Sequence, residues 1–208
     1  MKKNLKKSRK ISLGLAAAGL LTLLGLLLVE LQTRETAVRR FQDVAIGGAF
    51  SLTNEQGQPR SEADFAGRPM LIYFGFTFCP DVCPLSLDVM GAALETLETQ
   101  NPKAFNALQP VFISVDPARD TPEQLADYLS YFHPKISGLT GSPEQIAQVK
   151  KAFRVYAVRR DAAEDPQNYN VDHSSFFYLM DGKGRYLAHF DHALEAEVLA
   201  QKIAAKLR

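Results

Sequence analysis

The run Met70-Leu71-Ile72-Tyr73-Phe74-Gly75-Phe76 is apolar almost throughout, long enough for a buried strand and too short for a helix. Gly67-Arg68-Pro69 breaks the chain before it. From Pro84 onward Leu85, Leu87, Val89, Met90, Ala93, Leu94 and Leu97 recur at helical spacing, and a proline suits the first turn, where its missing N–H would have no partner. A central strand therefore gives way to a helix across a short turn. The only two cysteines of the chain, Cys79 and Cys83, lie in that turn, within Phe78-Cys79-Pro80-Asp81-Val82-Cys83-Pro84. Open α/β sheets put their chemistry at this edge, so the pair reads as a reactive dithiol or a soft-metal site.

Further strand and helix signals alternate along the chain. Val111-Phe112-Ile113-Ser114-Val115 is a second buried strand, and Thr121-Pro122-Glu123-Gln124 opens a helix with a capping residue followed by proline. Ser142-Pro143-Glu144-Gln145 repeats that signal for a helix reaching about Phe153. This alternation implies a mainly parallel sheet. Ahead of it, Phe50 and Leu52 alternate with polar neighbours, and residues 54–59 turn around Gly57 into a short hairpin. Residues 161–170 read as an exposed loop. A strand at 175–180, a tight turn at 181–184, a return strand at 185–190 and an amphipathic helix at 193–207 complete the chain. A βαβ half followed by a β-hairpin and a last helix is the thioredoxin-like arrangement, an α/β fold with a central mixed sheet flanked by helices.

The N-terminal end is of another kind. Lys2, Lys3, Lys6, Lys7, Arg9 and Lys10 come with no acid among them, and residues 11–29 follow without a charge. At 1.5 Å per residue that run is about 28 Å long, close to the roughly 30 Å hydrocarbon core of a bilayer. Glu30-Leu31-Gln32-Thr33-Arg34 offers no small-x-small cleavage site, so the expectation is one uncleaved transmembrane helix rather than a removed signal peptide. The division is then a cytoplasmic basic tail at 1–10, an anchor at 11–29, a linker at 30–45 and one domain at 46–208. The basic flank stays in the cytoplasm and the domain faces outward. The Lys-rich flank is unlike an Arg- and Ser-rich mitochondrial presequence, which favours the inner membrane of a bacterium with the domain in the periplasm. Of 24 basic residues six lie in the tail, leaving 18 against 23 acidic ones, a balance that argues against a nucleic-acid partner.

A structural disulfide explains the cysteine pair poorly. Closing a loop of about five residues would restrict the unfolded chain by only about 2 kcal/mol, against roughly 3 for fifteen residues. If both cysteines joined one helical turn, their Cβ atoms would stand about 5–6 Å apart, while a disulfide wants roughly 3.5–4.5 Å. The helix N-terminus beside Cys83 favours thiolate, which is both nucleophile and metal ligand, so ionisation does not choose between redox and metal chemistry. A third residue has to decide. Of the four histidines, His133, His189 and His192 read as surface or satisfied core residues. His173, in Tyr169-Asn170-Val171-Asp172-His173-Ser174-Ser175, stands where the long loop meets the penultimate strand, which a thioredoxin-like sheet puts beside the dithiol turn. A set of two thiolates and one imidazole suits copper, as Cu(I) or Cu(II). Zinc could bind too, but a closed zinc site wants a fourth ligand, and none is evident. Asp116, Arg119 and Asp120 read as an exposed Asp-Pro turn with a solvated ion pair, and Asp172 as a possible acceptor for the His173 imidazole, although adjacent residues on an extended chain point opposite ways.

Three segments together resemble the SCO/SenC family of membrane-anchored copper proteins. They are Phe74-Gly75-Phe76-Thr77-Phe78-Cys79-Pro80-Asp81-Val82-Cys83-Pro84, then Phe112-Ile113-Ser114-Val115-Asp116-Pro117-Ala118-Arg119-Asp120-Thr121-Pro122, then Val171-Asp172-His173-Ser174. The likeness runs over about residues 45–205 and includes Gly138-Leu139-Thr140-Gly141 and Phe153-Arg154-Val155-Tyr156. It implies a thioredoxin-like domain with copper ligands at Cys79, Cys83 and His173, one copper per domain. It also implies a metallochaperone, not necessarily an enzyme, for the copper A centre in cytochrome c oxidase subunit II, with other copper chaperones as further partners. Many members have histidine directly before the first cysteine, where this chain has Phe78. The competing reading is an exported thiol:disulfide oxidoreductase or redox sensor using Cys79 and Cys83, and a peroxide-reducing relative of the fold is a third. The chain has no Trp and three residues between its cysteines, unlike the Trp-Cys-x-x-Cys of thioredoxins.

Overall fold

The computed structural model describes residues 25, 26, 29, 30, 46–160 and 169–207. The chain divides into two units, Met1–Ala45 and Ile46–Arg208. In the first, residues 25, 26, 29 and 30 are helical; the expected tail, most of the expected anchor and the expected linker beyond residue 30 lie outside the described residues. Among the described residues no helix is long and apolar enough to cross a membrane.

In the second unit the strands are β1 (Ser51–Asn54), β2 (Pro59–Ser61), β3 (Met70–Gly75), β4 (Gln109–Ser114), β5 (Ser137–Thr140), β6 (Ala157–Arg160), β7 (Asn170–His173), β8 (Phe176–Met180) and β9 (Tyr186–Asp191). The helices are α1 (Val82–Gln100), α2 (Pro102–Ala107), α3 (Pro122–Leu129), α4 (Pro143–Phe153) and α5 (Ala196–Lys206). Seven strands make one mixed sheet in the order β2-β1-β5-β4-β3-β8-β9. Every residue of β3 is buried, as its uninterrupted apolar run requires for a strand with neighbours on both edges and both faces.

The mainly parallel sheet expected from the alternation is corrected here. Only β3–β4 and β4–β5 pair in parallel; β1–β2, β1–β5, β3–β8 and β8–β9 are antiparallel. Helical crossovers fix the direction of the central three strands, while the two hairpins, joined by tight turns, add antiparallel strands on either side. The second feature not foreseen is a separate two-stranded ribbon, β6 with β7, in register Ala157↔His173 to Arg160↔Asn170. It brackets the segment expected as a loop, of which residues 161–168 lie outside the described residues.

Helix starts follow local chemistry. Thr121 accepts the Gln124 amide and Ser142 the Gln145 amide, each with proline next in the helix, as the two capping signals predicted. Helix α1 buries Cys83, Leu87, Met90, Leu94 and Leu97 along one face and packs against α5. Because Leu94 is fully buried, Leu94→Ala should lower stability by about 2–5 kcal/mol in urea unfolding; a loss below about 1 kcal/mol would contradict the packing described.

Candidate metal centre

Three segments converge at the C-terminal end of β3. The chain leaves β3 at Gly75, turns with the Cys79 amide donating to the Phe76 carbonyl at 3.2 Å, and enters α1 at Val82. Only Cys83 is helical. Cys79 lies before the helix, so the condition under which both cysteines would share one helical turn does not hold. Asp81 at the N-cap makes no side-chain capping bond; instead the Cys83 amide points at Cys79 Sγ, 3.4 Å away. A sulfur takes the place usually filled by a capping oxygen, at the positive end of a helix of 19 residues.

The ionisation of the pair is therefore divided between the two sulfurs. The Cys83 thiol donates to Cys79, and with the backbone amides of Asp81 and Cys83 this brings Cys79 down to about 4 against the cost of burial. Cys83 moves upward, because its proton is held by Cys79 and because it is fully buried. Cys79, half-buried, is the thiolate; Cys83, behind it, is the thiol. Both are free.

His173 ends β7, and its Nε2 lies 3.4 Å from Cys83 Sγ. Its Nδ1 meets the Ser174 carbonyl at 3.0 Å, a contact that calls for Nδ1–H as donor and leaves the Nε2 lone pair facing the sulfurs. Phe76 and Tyr73 stand edge-on to the imidazole, with centroids 5.8 and 6.3 Å away. Asp172 does not orient it: that carboxylate pairs with Arg160 at 2.6 Å on the ribbon surface. The ligand atoms of Cys79, Cys83 and His173 all lie within 4.8 Å of one another, and among the described residues no fourth His, Cys, Asp or Glu joins them. Metal bonds of about 2.0–2.3 Å in a trigonal centre need ligand atoms about 3.5–4 Å apart, so three-coordination fits with small adjustments. The other histidines are placed elsewhere: His133 accepts the Lys135 amide, His189 meets the Tyr186 hydroxyl, and His192 lies beside Asp191.

The expected solvated turn at Asp116, Arg119 and Asp120 is overturned. Both carboxylates are buried. Asp116 receives Arg119 Nε at 2.6 Å, Arg159 Nη2 at 3.2 Å and the Tyr169 hydroxyl at 2.6 Å, tying the ribbon to the turn after β4. Asp120 receives the Thr77 amide at 3.2 Å, the Thr77 hydroxyl at 2.7 Å and the Ser114 hydroxyl at 2.5 Å. It pins the chain just before Cys79 to the end of β4, and burial pushes its carboxyl upward despite these donors. Their main partners are remote in sequence, so local reading saw only an Asp-Pro turn. Phe78 is half exposed, with its ring 4.8 Å from the Arg119 guanidinium carbon.

Gly75 has a role that its sequence neighbours do not signal. A Cβ there would stand 2.8 Å from Cys83 Sγ and 2.8 Å from the Phe112 ring. The absence of a side chain makes the berth for the buried sulfur.

The fold and site define a class: a thioredoxin-like domain with a soft-metal triad of two cysteines and a histidine at its strand-to-helix turn. Comparison with known proteins is specific. The SCO1/SenC family model matches residues 39–208, and the chain belongs to that family. Protein sco1 of Schizosaccharomyces pombe is 45% identical over 161 residues, which cover 77% of this chain and 60% of that protein. The SCO2-like protein of Rickettsia felis is 46% identical over 169 residues, covering 79% of this chain and 80% of that one. Among solved structures, copper-bound ScoI of Arabidopsis thaliana is 38% identical with a TM-score of 0.72, covering 79% of this chain and 99% of that chain. Copper-bound yeast Sco1 is 40% identical with a TM-score of 0.72, covering 78% and 88%.

Two outcomes follow from this geometry. At pH 6 a limiting alkylating reagent should modify Cys79 well before Cys83, read by peptide mass spectrometry; equal rates would contradict the division of charge. Gly75→Ala should cost about 1–3 kcal/mol by overpacking and weaken metal binding as well, whereas unchanged metal affinity would show that Cys83 needs no such berth.

Proposed function

We propose that this protein is a copper metallochaperone, anchored in a membrane by residues 11–29, that loads the copper A centre of cytochrome c oxidase subunit II. The observation that carries the reading is the convergence of Cys79, Cys83 and His173, two soft sulfurs and one imidazole nitrogen with no fourth ligand among the described residues. Such a set holds Cu(I) in two- or three-coordination and accepts Cu(II) with help from the nitrogen. Membership of a family that includes copper-bound members of known structure supports copper as the metal, one per domain, held by these three residues. The oxidase as recipient rests on the same membership, with other copper chaperones as donors.

Copper is cargo in this reading. An ionised, half-buried Cys79 is the sulfur an incoming metal meets first, and Cys83 must surrender its proton before it can ligate. His173 completes the set from the ribbon. With only three ligands and an accessible Cys79, a recipient offering more thiolates and imidazoles can take the metal by stepwise ligand exchange.

The anchor and topology are supported by the six basic residues before position 11 and the uncharged run behind them. Relatives come from mitochondria and from the bacterium Rickettsia, consistent with the domain lying outside a bacterial inner membrane, in the periplasm. In this division residues 1–10 stay in the cytoplasm and 30–45 link the anchor to the domain at 46–208.

The division of charge in the dithiol favours a second use of the same residues. Cys79 thiolate attacks a target disulfide, forming a mixed disulfide and releasing one target thiolate. Cys83, losing its proton, then attacks Cys79 Sγ, releases the second target thiolate and leaves a Cys79–Cys83 disulfide. In this use, reduction of the recipient's cysteines precedes loading.

Anaerobic titration of the reduced domain should give one copper per chain, with thiolate-to-copper charge transfer in the Cu(II) form and transfer to the soluble domain of subunit II. His173→Ala should lose that band and most of the Cu(II) affinity. If wild type and variant bind equally poorly yet reduce a test disulfide equally well, the oxidoreductase reading replaces this one. Binding at pH 7 should release about one proton per copper, from Cys83, because Cys79 is already ionised; affinity should therefore fall as pH falls. Release of no proton would contradict the assigned states.

A further inference from the structure

Tyr73 lies on β3 two residues before Gly75, so both face the first turn of α1. Its side chain is fully buried, in a place where a phenylalanine would fill the same space with no hydroxyl to satisfy. That hydroxyl has three polar neighbours: Ser86 Oγ at 3.0 Å, the Ser175 hydroxyl and the Cys83 sulfur. Ser86 is on the buried face of α1, three residues beyond Cys83, and spends its one proton on the Val82 carbonyl at 2.7 Å. It can then only accept from Tyr73. The Tyr73 ring also stands edge-on to His173, and a Cβ at Gly75 would meet both Cys83 Sγ, at 2.8 Å, and Tyr73 Cε1, at 3.1 Å. Tyr73 thus borders two of the three ligand residues from the buried side, where no solvent reaches.

We propose that Tyr73 is a positioning residue of the metal centre: its buried hydroxyl donates a hydrogen bond to Cys83 Sγ when that sulfur is a metal-bound thiolate, and so biases the site toward Cu(I) over Cu(II). The inference rests on the copper reading and deepens it. The Tyr73 hydroxyl rests on Ser86 Oγ, 3.0 Å away. A metal-bound Cys83 Sγ is a thiolate acceptor on the same buried side, where a Cβ at Gly75 would meet both residues, and rotation about the Tyr73 C–O bond brings a donor onto it. No bond is made or broken in this step. A hydrogen bond to a ligating sulfur withdraws electron density from it, weakening its donation to the more electron-demanding oxidation state.

The test compares wild type, Tyr73→Phe and Ser86→Ala, each loaded with Cu(II), Cu(I) or, as an independent thiolate probe, Co(II). Tyr73→Phe should shift the sulfur-to-metal charge-transfer band to longer wavelength with both Cu(II) and Co(II). It should also lower the ratio of Cu(I) to Cu(II) affinity by about tenfold, the scale of one hydrogen bond to a charged group. Ser86→Ala removes the competing acceptor but keeps the Tyr73 hydroxyl, and should not reproduce the red shift. If Tyr73→Phe loses only stability, with bands and affinity ratio unchanged, the proposal is overturned. If wild type shows no copper charge transfer while its Co(II) bands still respond to Tyr73→Phe, the copper reading fails and the hydrogen bond to Cys83 stands.

Discussion

The contact between the first turn of α1 and the Cys79 sulfur is the interaction around which the site is arranged. A helix start leaves amide protons without partners, and here one of them, from Cys83, is aimed at sulfur. The same short segment supplies a second donor, the Cys83 thiol, so the negative charge of the dithiol settles on the member nearer the surface. The buried member keeps its proton until something replaces it. A soft cation is the natural replacement, since it satisfies both sulfurs and the imidazole lone pair that faces them.

Everything else in the domain serves to hold that turn and bring His173 to it. β3 is buried along its whole length and ends at Gly75, which leaves room for Cys83 Sγ. Asp120 fastens Thr77, one step from the cysteine loop, to the end of β4. Asp116 gathers Arg119, Arg159 and Tyr169, and so attaches the ribbon that ends in His173. Buried carboxylates are costly unless they are fully met by donors, and these two are met by three side chains or amides each. The arrangement places two cysteines close in sequence and a histidine 90 residues away in one small space.

Local signals made much of this legible. The apolar run of β3, the helical spacing after Pro84 and the Thr121 and Ser142 caps each depend on neighbours within a few residues, and each appears where expected. Cys79, Cys83 and His173 could be grouped by sequence because the strand-to-helix turn and the last hairpin of a thioredoxin-like sheet adjoin. What escaped depends on distant partners. The direction of the outer strands, the β6–β7 ribbon and the burial of Asp116 and Asp120 are decided by residues tens of positions away. Gly75 looked like one more member of an apolar strand, and only the position of Cys83 Sγ reveals what its missing side chain permits.

The proposed function depends on one copper being held by both sulfurs and one imidazole at this turn. X-ray absorption of the copper-loaded domain, in both oxidation states, counts those ligands. Two sulfur scatterers and one imidazole nitrogen per copper are expected, with the nitrogen lost in His173→Ala. A copper shell of nitrogen and oxygen alone, or a spectrum unaltered by His173→Ala, would contradict it.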